Sequence, residues 1–333
     1  MVDSRDRSES PFHAGEREAQ RRAGVRERAE QAGKRAIRDF MPDQHRTFFA
    51  QLPMLLVGSV DSDGRPWASV LAGRPGFIST PDERTMHVAA PPLFGDPLGA
   101  TLAVGADLGL LGLEPHSRRR NRANGTVMAL DDTVVDIRIT QSFGNCPQYI
   151  QTRTFEATDE IDDIGAPRPL AQFDMLDRAT RDLIAAADTL FIASSFKDEA
   201  TGGVDVSHRG GKPGFVRIDD GRTLVVPDFA GNSYFNTYGN LLINPRAGLL
   251  FIDFESGDLV YLTGTTDIVW DGDEVKSFAG AQRLMRFHLT EGRRVDGSLP
   301  LHWSFSDYSP LLARTGSWPD STPLSGRIAR DQR

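Results

Sequence analysis

The sequence predicts a mostly β (α+β) protein built as two tandem copies of one β-rich domain with flanking helices. Three observations carry that expectation. First, GRPGFI begins at Gly73 and GKPGFV at Gly211, and RTMHV begins at Arg84 and RTLVV at Arg222, both pairs 138 residues apart. GLL recurs at 109 and 248 and a Gly-Thr pair at 125 and 264, both 139 apart, so four matches keep one order with one residue of drift. That period is too long for a solenoid and implies a duplication of residues 50–130 as 188–270. Second, strand and turn signals alternate at short intervals, as in MLLVGSV (54–60), the DSDG turn and RPWASVLAG, the punctuation of a sandwich or barrel. Third, 333 residues suggest two compact units, and 39% hydrophobic residues suffice for their cores.

The elements follow in order. Residues 1 to about 10 read as disordered, and Gly15 to Ile37, rich in Glu, Arg, Ala and Gln, as a surface helix lying across a partner. DQHRTFFAQL reads as a second helix leading into the first strand. Between the copies lie the strand TVVDIRITQSFG, the segment NCPQYIQTR and a helix, FDMLDRATRDLIAAAD (173–188). After the second copy KSFAGAQRLMRFHL reads as a helix and LPLHWSFSDYSP as a strand, with a frayed tail from Thr315. The expected division is 1–45 for the N-terminal tail and surface helix, 46–165 for the first domain, 170–312 for the second, and 313–333 for a flexible tail.

Composition excludes several classes. A net charge of −8 argues against a general nucleic-acid binder, which carries a basic face. The single cysteine, Cys146, excludes an internal disulfide and a Cys-rich metal site. The charged start MVDSRDRSESPFHAGEREAQ lacks the apolar core of a signal peptide, and no apolar run approaches membrane-spanning length. The expectation is a cytoplasmic protein with no nucleic-acid or membrane partner.

Within GNSYFNTYGNLLINP the asparagines fall at 232, 236, 240 and 244, four apart, the spacing that keeps side chains on one side of a helix. Asparagine is a poor helix former because its amide competes for backbone hydrogen bonds. Asn232 as an N-cap and Asn244-Pro245 as a stop would explain two of the four. Under the repeat, Asn236, Asn240 and Asn244 correspond to Pro97, Thr101 and Gly105, so the amide stripe exists in one copy only. A scaffold requirement belongs in both copies; the stripe therefore reads as a site specialised in the second. Its neighbours Ser207, His208, Arg209 and Lys212 flank two glycines, a composition suited to phosphate and an extended polar chain.

SHRGGKPGFVRIDDGRTLVVPDFAGNSYFNTYGNLLINPRAGLLFIDF (207–254), followed by LTGTT at 262–266, resembles the pyridoxamine-phosphate-oxidase-related FMN-binding split-barrel family. FHAGEREAQRRAGV and FGNCPQYIQTR are similar to a subgroup with two tandem barrels, sometimes fused to a flavin and iron–sulfur reductase. The resemblance implies two tandem FMN-binding split β-barrels, with FMN bound between barrels and a flavin-dependent oxidoreductase function. On this chain it implies that Ser207, His208 and Arg209 border the flavin, that Pro227 and Asp228 line it from the next strand, and that Asn232, Asn236 and Asn240 face the ribityl–phosphate arm.

The chain also departs from the family. It ends SGRIARDQR, without the oxidases' Arg- and His-bearing substrate segment, so pyridoxamine-phosphate oxidation does not carry over. One cysteine cannot ligate an iron–sulfur cluster, so electrons for a small-molecule substrate would come from a separate reductase. A homodimer is the family expectation, which the tandem copy could replace. The rival readings are a non-catalytic flavin or haem carrier or sensor, with His208 as the haem ligand, and a deazaflavin-dependent reductase. No metal site and no catalytic side chain stand out. Cys146 reads as buried and inert, the run SRRRNR (117–122) as a solvated turn or an anion site, and Trp67, Trp270 and Trp303 as core.

Overall fold

The computed structural model describes residues 9–131, 133–197 and 202–319. Three helices come first: α1 (Ala14–Arg22), α2 (Arg26–Ala36) and α3 (Asp43–Ala50). The first barrel follows as β1 (Met54–Val60), β2 (Pro66–Ala72), β3 (Ile78–Asp82), β4 (Thr85–Val88), a short α4 (Leu98–Thr101), β5 (Asp107–Glu114), β6 (Arg119–Leu130) and β7 (Val135–Gly144). A connection bearing β8 (Thr152–Ala157), β9 (Leu170–Phe173) and α5 (Arg178–Ala186) leads to the second barrel. That barrel comprises β10 (Thr189–Lys197), β11 (Gly202–Gly210), β12 (Arg217–Ile218), β13 (Thr223–Asp228), α6 (Asn236–Ile243), β14 (Arg246–Ile252), β15 (Leu259–Val269), α7 (Asp273–Ser277) and β16 (Arg283–Val295). The final strand, β17 (Leu301–Asp307), pairs with β8.

The sheet orders are β2-β1-β5-β6-β7-β4-β3 and β11-β10-β14-β15-β16-β13-β12, the same path with every strand shifted by nine, and β9 adds to β16. Each repeated motif has a physical reason. In GRPGFI and GKPGFV, Gly76 and Gly214 turn the chain at φ +102° and +84°. Gly73 and Gly211 make room for Phe77 and Phe215, whose Cγ atoms would lie 2.6 and 2.3 Å from an added Cβ. The Arg84 and Arg222 carbonyls accept equivalent bonds from Ile139 N (2.7 Å) and Leu289 N (2.8 Å). The Gly-Thr pairs sit at β-bulges, where a Cβ on Gly125 or Gly264 would meet the Arg138 or His288 carbonyl oxygen at 2.2 or 2.1 Å.

The GLL glycines join the barrels. An added Cβ on Gly109 of β5 would lie 2.7 Å from Val204 O on β11, and one on Gly248 of β14 would lie 2.4 Å from Pro66 O on β2. Those contacts exchange under the repeat, since Pro66 and Val204 are also 138 apart. The two barrels thus pack through β1, β2 and β5 against β10, β11 and β14 about an internal pseudo-two-fold axis, as two copies of one chain would in an isologous pair. Buried apolar side chains fill each barrel, and a third cluster, with Trp67, Phe191, Leu250 and Tyr261, lies between them.

Three expectations are corrected. Gly15–Ile37 is two helices broken at Gly24 (φ +69°), and α1 is not a surface helix, because Gly15, Glu16, Ala19 and Gln20 are buried. KSFAGAQRLMRFHL is a helix only at its start: from Arg283 it is β16, where Met285, Phe287 and Leu289 alternate inward and pairing with β13 and β15 overrides the helical propensity of Ala, Gln and Arg. The stretch after Thr315 is docked as far as Trp318, which is buried on Phe278 and donates its indole N–H to Phe215 O at 2.9 Å. The expected disorder of residues 1–8 and of 320–333 lies outside the described residues. No helix among the described residues is long and apolar enough to cross a membrane.

Candidate functional site

A cleft opens where the two barrels meet. Its walls come from β6, from the segment after β7, from the ends of β11 and β13, and from the loop leading into α6. Ser207, His208, Arg209, Pro227, Asp228, Asn232 and Asn236, seven of the eight residues expected from the sequence, line it together. Lys212 stays in the exposed turn.

Asn240 is the exception, and the asparagine stripe has a different principal partner. Asn240 donates from Nδ2 to Ser194 Oγ at 3.0 Å and meets His13 Nε2 at 3.0 Å through Oδ1. Asn236 donates to Glu16 Oε1 at 2.5 Å, and Asn244 donates to Ser195 O at 3.3 Å. The stripe therefore faces α1 and β10. Helices α1 and α6 approach so closely that a Cβ on Gly15 would lie 2.1 Å from Gly239 O, which leaves no room for a polar ligand chain along that face. Asn236 reaches the cleft from its edge. Asn232 is not the N-cap of α6: Phe235 holds that place at φ +62°, and Asn232 Oδ1 accepts from Tyr234 N at 3.1 Å in a local turn. Asn244 is the C-cap, as expected from the following proline.

α1 fixes this wall. Gln20 donates to Tyr234 O at 3.0 Å, holding a loop that contains two non-glycine residues in the left-handed region, Ser233 (φ +64°) and Phe235 (φ +62°). Glu16 is buried behind Asn236, and burial raises its pKa from 4.5 to about 8 against the opposing bonds from Asn236 and His13 N, with Asp205 adding to the rise and Arg122 offsetting it. Between pH 4.5 and 8 the folded carboxyl keeps a proton that the unfolded chain has lost, so this group's contribution falls as pH rises through that window. In Glu16→Gln that decline should vanish: the gap between variant and wild-type melting temperatures should widen in the variant's favour from pH 5 to pH 8.5. Parallel curves would refute the assignment.

The electrostatic centre is a group of guanidinium groups the sequence reading largely missed. Arg122 on β6 is 3% exposed; it donates to Ser207 Oγ (2.5 Å) and Val206 O (2.9 Å) across the barrel boundary and pairs with Asp205. Ser207 and Thr237 also bond to Asp205 Oδ2, at 3.1 and 3.3 Å. Arg283 on β16 pairs with Asp228 at 2.7 Å, and Arg209 approaches the other oxygen of that carboxylate at 3.5 Å. Arg120 differs: it donates from Nε to Cys146 O at 2.6 Å and from Nη1 to His208 Nδ1 at 3.3 Å, and no carboxylate among the described residues pairs with it. Burial, with Arg209 and Arg122 adding to it, pulls the Arg120 pKa below the usual guanidinium range. Burial, reinforced by Arg120, Arg209 and Arg153, pushes His208 well below 6.5, so its ring is neutral. The ring is 3% exposed and engaged at Nδ1, which disfavours it as an axial haem ligand.

Four guanidinium groups thus meet two carboxylates, a surplus of two positive charges in a partly desolvated cleft. Arg122 Nε and Arg283 Nε are buried without hydrogen-bond partners among the described residues. Such an arrangement favours a dianionic group of the phosphate kind. The signal for Arg120 and Arg122 was present in SRRRNR, where residues two apart on a strand share a face. Arg283 lay in a stretch read as helical. Cys146 is half-buried rather than buried, flanked by Asn145, Gln148 and Tyr149 in the cleft wall.

The pseudo-symmetric position in the other half carries no such charge. There Val70 and Leu71 stand for His208 and Arg209, and Leu259 and Tyr261 for Arg120 and Arg122. Val70, Leu259 and Tyr261 are buried with Leu93 and Trp303 in one apolar cluster, and the recess that remains beside it is lined by Ala89, Ala90 and Pro91 where the charged cleft has Pro227, Asp228 and Phe229.

Among known families, residues 176–299 match the one described as pyridoxamine 5′-phosphate oxidase. No curated protein matches. Among solved structures, Group A Streptococcus HupZ is 16% identical, covering 40% of this chain and 98% of its own, with a TM-score of 0.29. A candidate pyridoxamine 5′-phosphate oxidase of Lactobacillus delbrueckii is 16% identical over 36% of this chain and 94% of its own (TM-score 0.30). An FAD-binding protein of Mesorhizobium loti is 13% identical over 38% and 97% (TM-score 0.26).

Proposed function

Since the chain belongs, through its second barrel, to the pyridoxamine 5′-phosphate-oxidase-like split-barrel family, we propose that the cleft binds a flavin, specifically FMN, and that the protein is a flavin-dependent oxidoreductase. The observation that carries this reading is the surplus of two positive charges in the cleft between the barrels. A phosphate monoester dianion neutralises it.

The residues fit that group. Arg120, unpaired with any carboxylate among the described residues, holds the phosphate together with Arg209 and Arg283, which Asp228 keeps in place. The neutral His208 accepts from Arg120 without adding charge. Asn232 and Asn236 offer amides to the polyol chain from the rim, while Asn240, turned to Ser194 and His13, takes no part. Pro227 and Ser207 shape the wall. Bound there, the flavin supplies one- or two-electron exchange, and the protein supplies position and field. The first barrel already contributes Arg120 and Arg122, so this reading needs no second chain at the site; reducing equivalents come from a separate reductase. The test is titration of the purified chain with FMN and with riboflavin. One FMN per chain is expected, with riboflavin at least ~10-fold weaker for want of its phosphate. Equal affinity for both, or no binding of either, would sink the proposal.

A further inference from the structure

The segment between β7 and β8 was marked by its sequence, NCPQYIQ, and three of its residues, Asn145, Gln148 and Tyr149, line the cleft. It is held at both ends. Asn145 N donates to Arg120 O at 3.0 Å, and the Cys146 carbonyl accepts from Arg120 Nε. At the other end Gln151 Nε2 reaches the carbonyls of Tyr149, Asp188 and Gly211 at 3.2–3.3 Å, while its Oε1 accepts from Ser309 N at 2.9 Å. Tyr149 sits at φ +64°, and its carbonyl lies where a Cβ on Gly210 would come within 2.0 Å, so this close approach requires that glycine. Backbone held in a rare conformation by its surroundings commonly positions a functional side chain.

The side chain so positioned is Gln148. Its Oε1 is buried and has no hydrogen-bond partner among the described residues. The other unpartnered groups in the cleft, on Arg122 and Arg283, are donors. A cleft that needs an anion for its arginines therefore also needs an N–H or O–H for one amide. We propose that Gln148 reads a planar imide edge, the N–H set between two carbonyls on the pyrimidine side of a flavin ring, and that this contact selects the ring while the arginines select the phosphate. Whichever way the amide is turned, it pairs with such an edge, accepting from the N–H or donating to a flanking carbonyl. The proposal rests on the flavin reading above.

The full-length protein is titrated with FMN and with FMN methylated at the imide nitrogen, beside Gln148→Ala. The wild type should prefer FMN by about 3- to 10-fold, the worth of one neutral hydrogen bond, and the preference should fall to about 1-fold in Gln148→Ala. A preference retained in Gln148→Ala overturns the assignment and leaves flavin binding intact. Failure of the wild type to bind FMN overturns both. Should Gln148→Ala not fold, the wild type alone decides: its bound imide N–H should resist alkaline deprotonation relative to free FMN, and ionisation at the same pH overturns the proposal.

Discussion

Arg122→Ala should destabilise the chain by about 3–5 kcal/mol, because it leaves Asp205 buried without its cation. Arg122 belongs to the first barrel and Asp205 to the second, and both are under 5% exposed. The substitution also removes the donors to Ser207 Oγ and Val206 O, so the damage falls on the seam between barrels. Denaturant unfolding measures it. The companion experiment pairs Arg122→Met with Asp205→Leu, which removes both charges; stability should then return most of the way, since a buried ion pair replaced by apolar groups is often neutral. A loss under ~1 kcal/mol in the single variant would mean that water screens the pair.

Arg120→Ala should act on the ligand rather than the fold. Arg120 pairs with no carboxylate among the described residues, so its removal takes a donor only from two backbone carbonyls, those of Cys146 and His208, and a ring nitrogen. A charge-assisted hydrogen bond is worth about 1.5–3 kcal/mol, which predicts a ~10- to 100-fold loss of FMN affinity. Riboflavin affinity should be unchanged, and so should the melting temperature within a few degrees. Equal weakening of both ligands would move Arg120 from the phosphate to the ring.

The duplication was legible because its marks are local. A turn that requires positive φ, a glycine under a phenylalanine and a glycine at a bulge all impose themselves on residue identity, and so does a glycine where two barrels touch. Such constraints appear at the same offset whenever a fold is repeated. The strand MLLVGSV was legible for the same reason, and β1 spans it as Met54–Val60. Most of one cleft wall was legible too, because β11, β13 and the loop into α6 bring Ser207, Asp228 and Asn232 together within one barrel.

What the sequence by itself determined is therefore the repeated mostly β architecture, the resemblance of its second half, and the identity of one wall. The tertiary structure alone decided the rest. The asparagine spacing showed that the amides share a face but not what covers it, and α1, more than two hundred residues away in sequence, takes that face by hydrogen-bonding to Asn236 and Asn240. Likewise SRRRNR looks the same solvated or buried until the first barrel is packed on the second, which brings Arg120 and Arg122 against His208 and Ser207. Only that packing gathers arginines at one pseudo-symmetric place and buries the apolar Val70, Leu259 and Tyr261 at the other, because whether a side chain is desolvated depends on the partner surface and not on its neighbours in the chain.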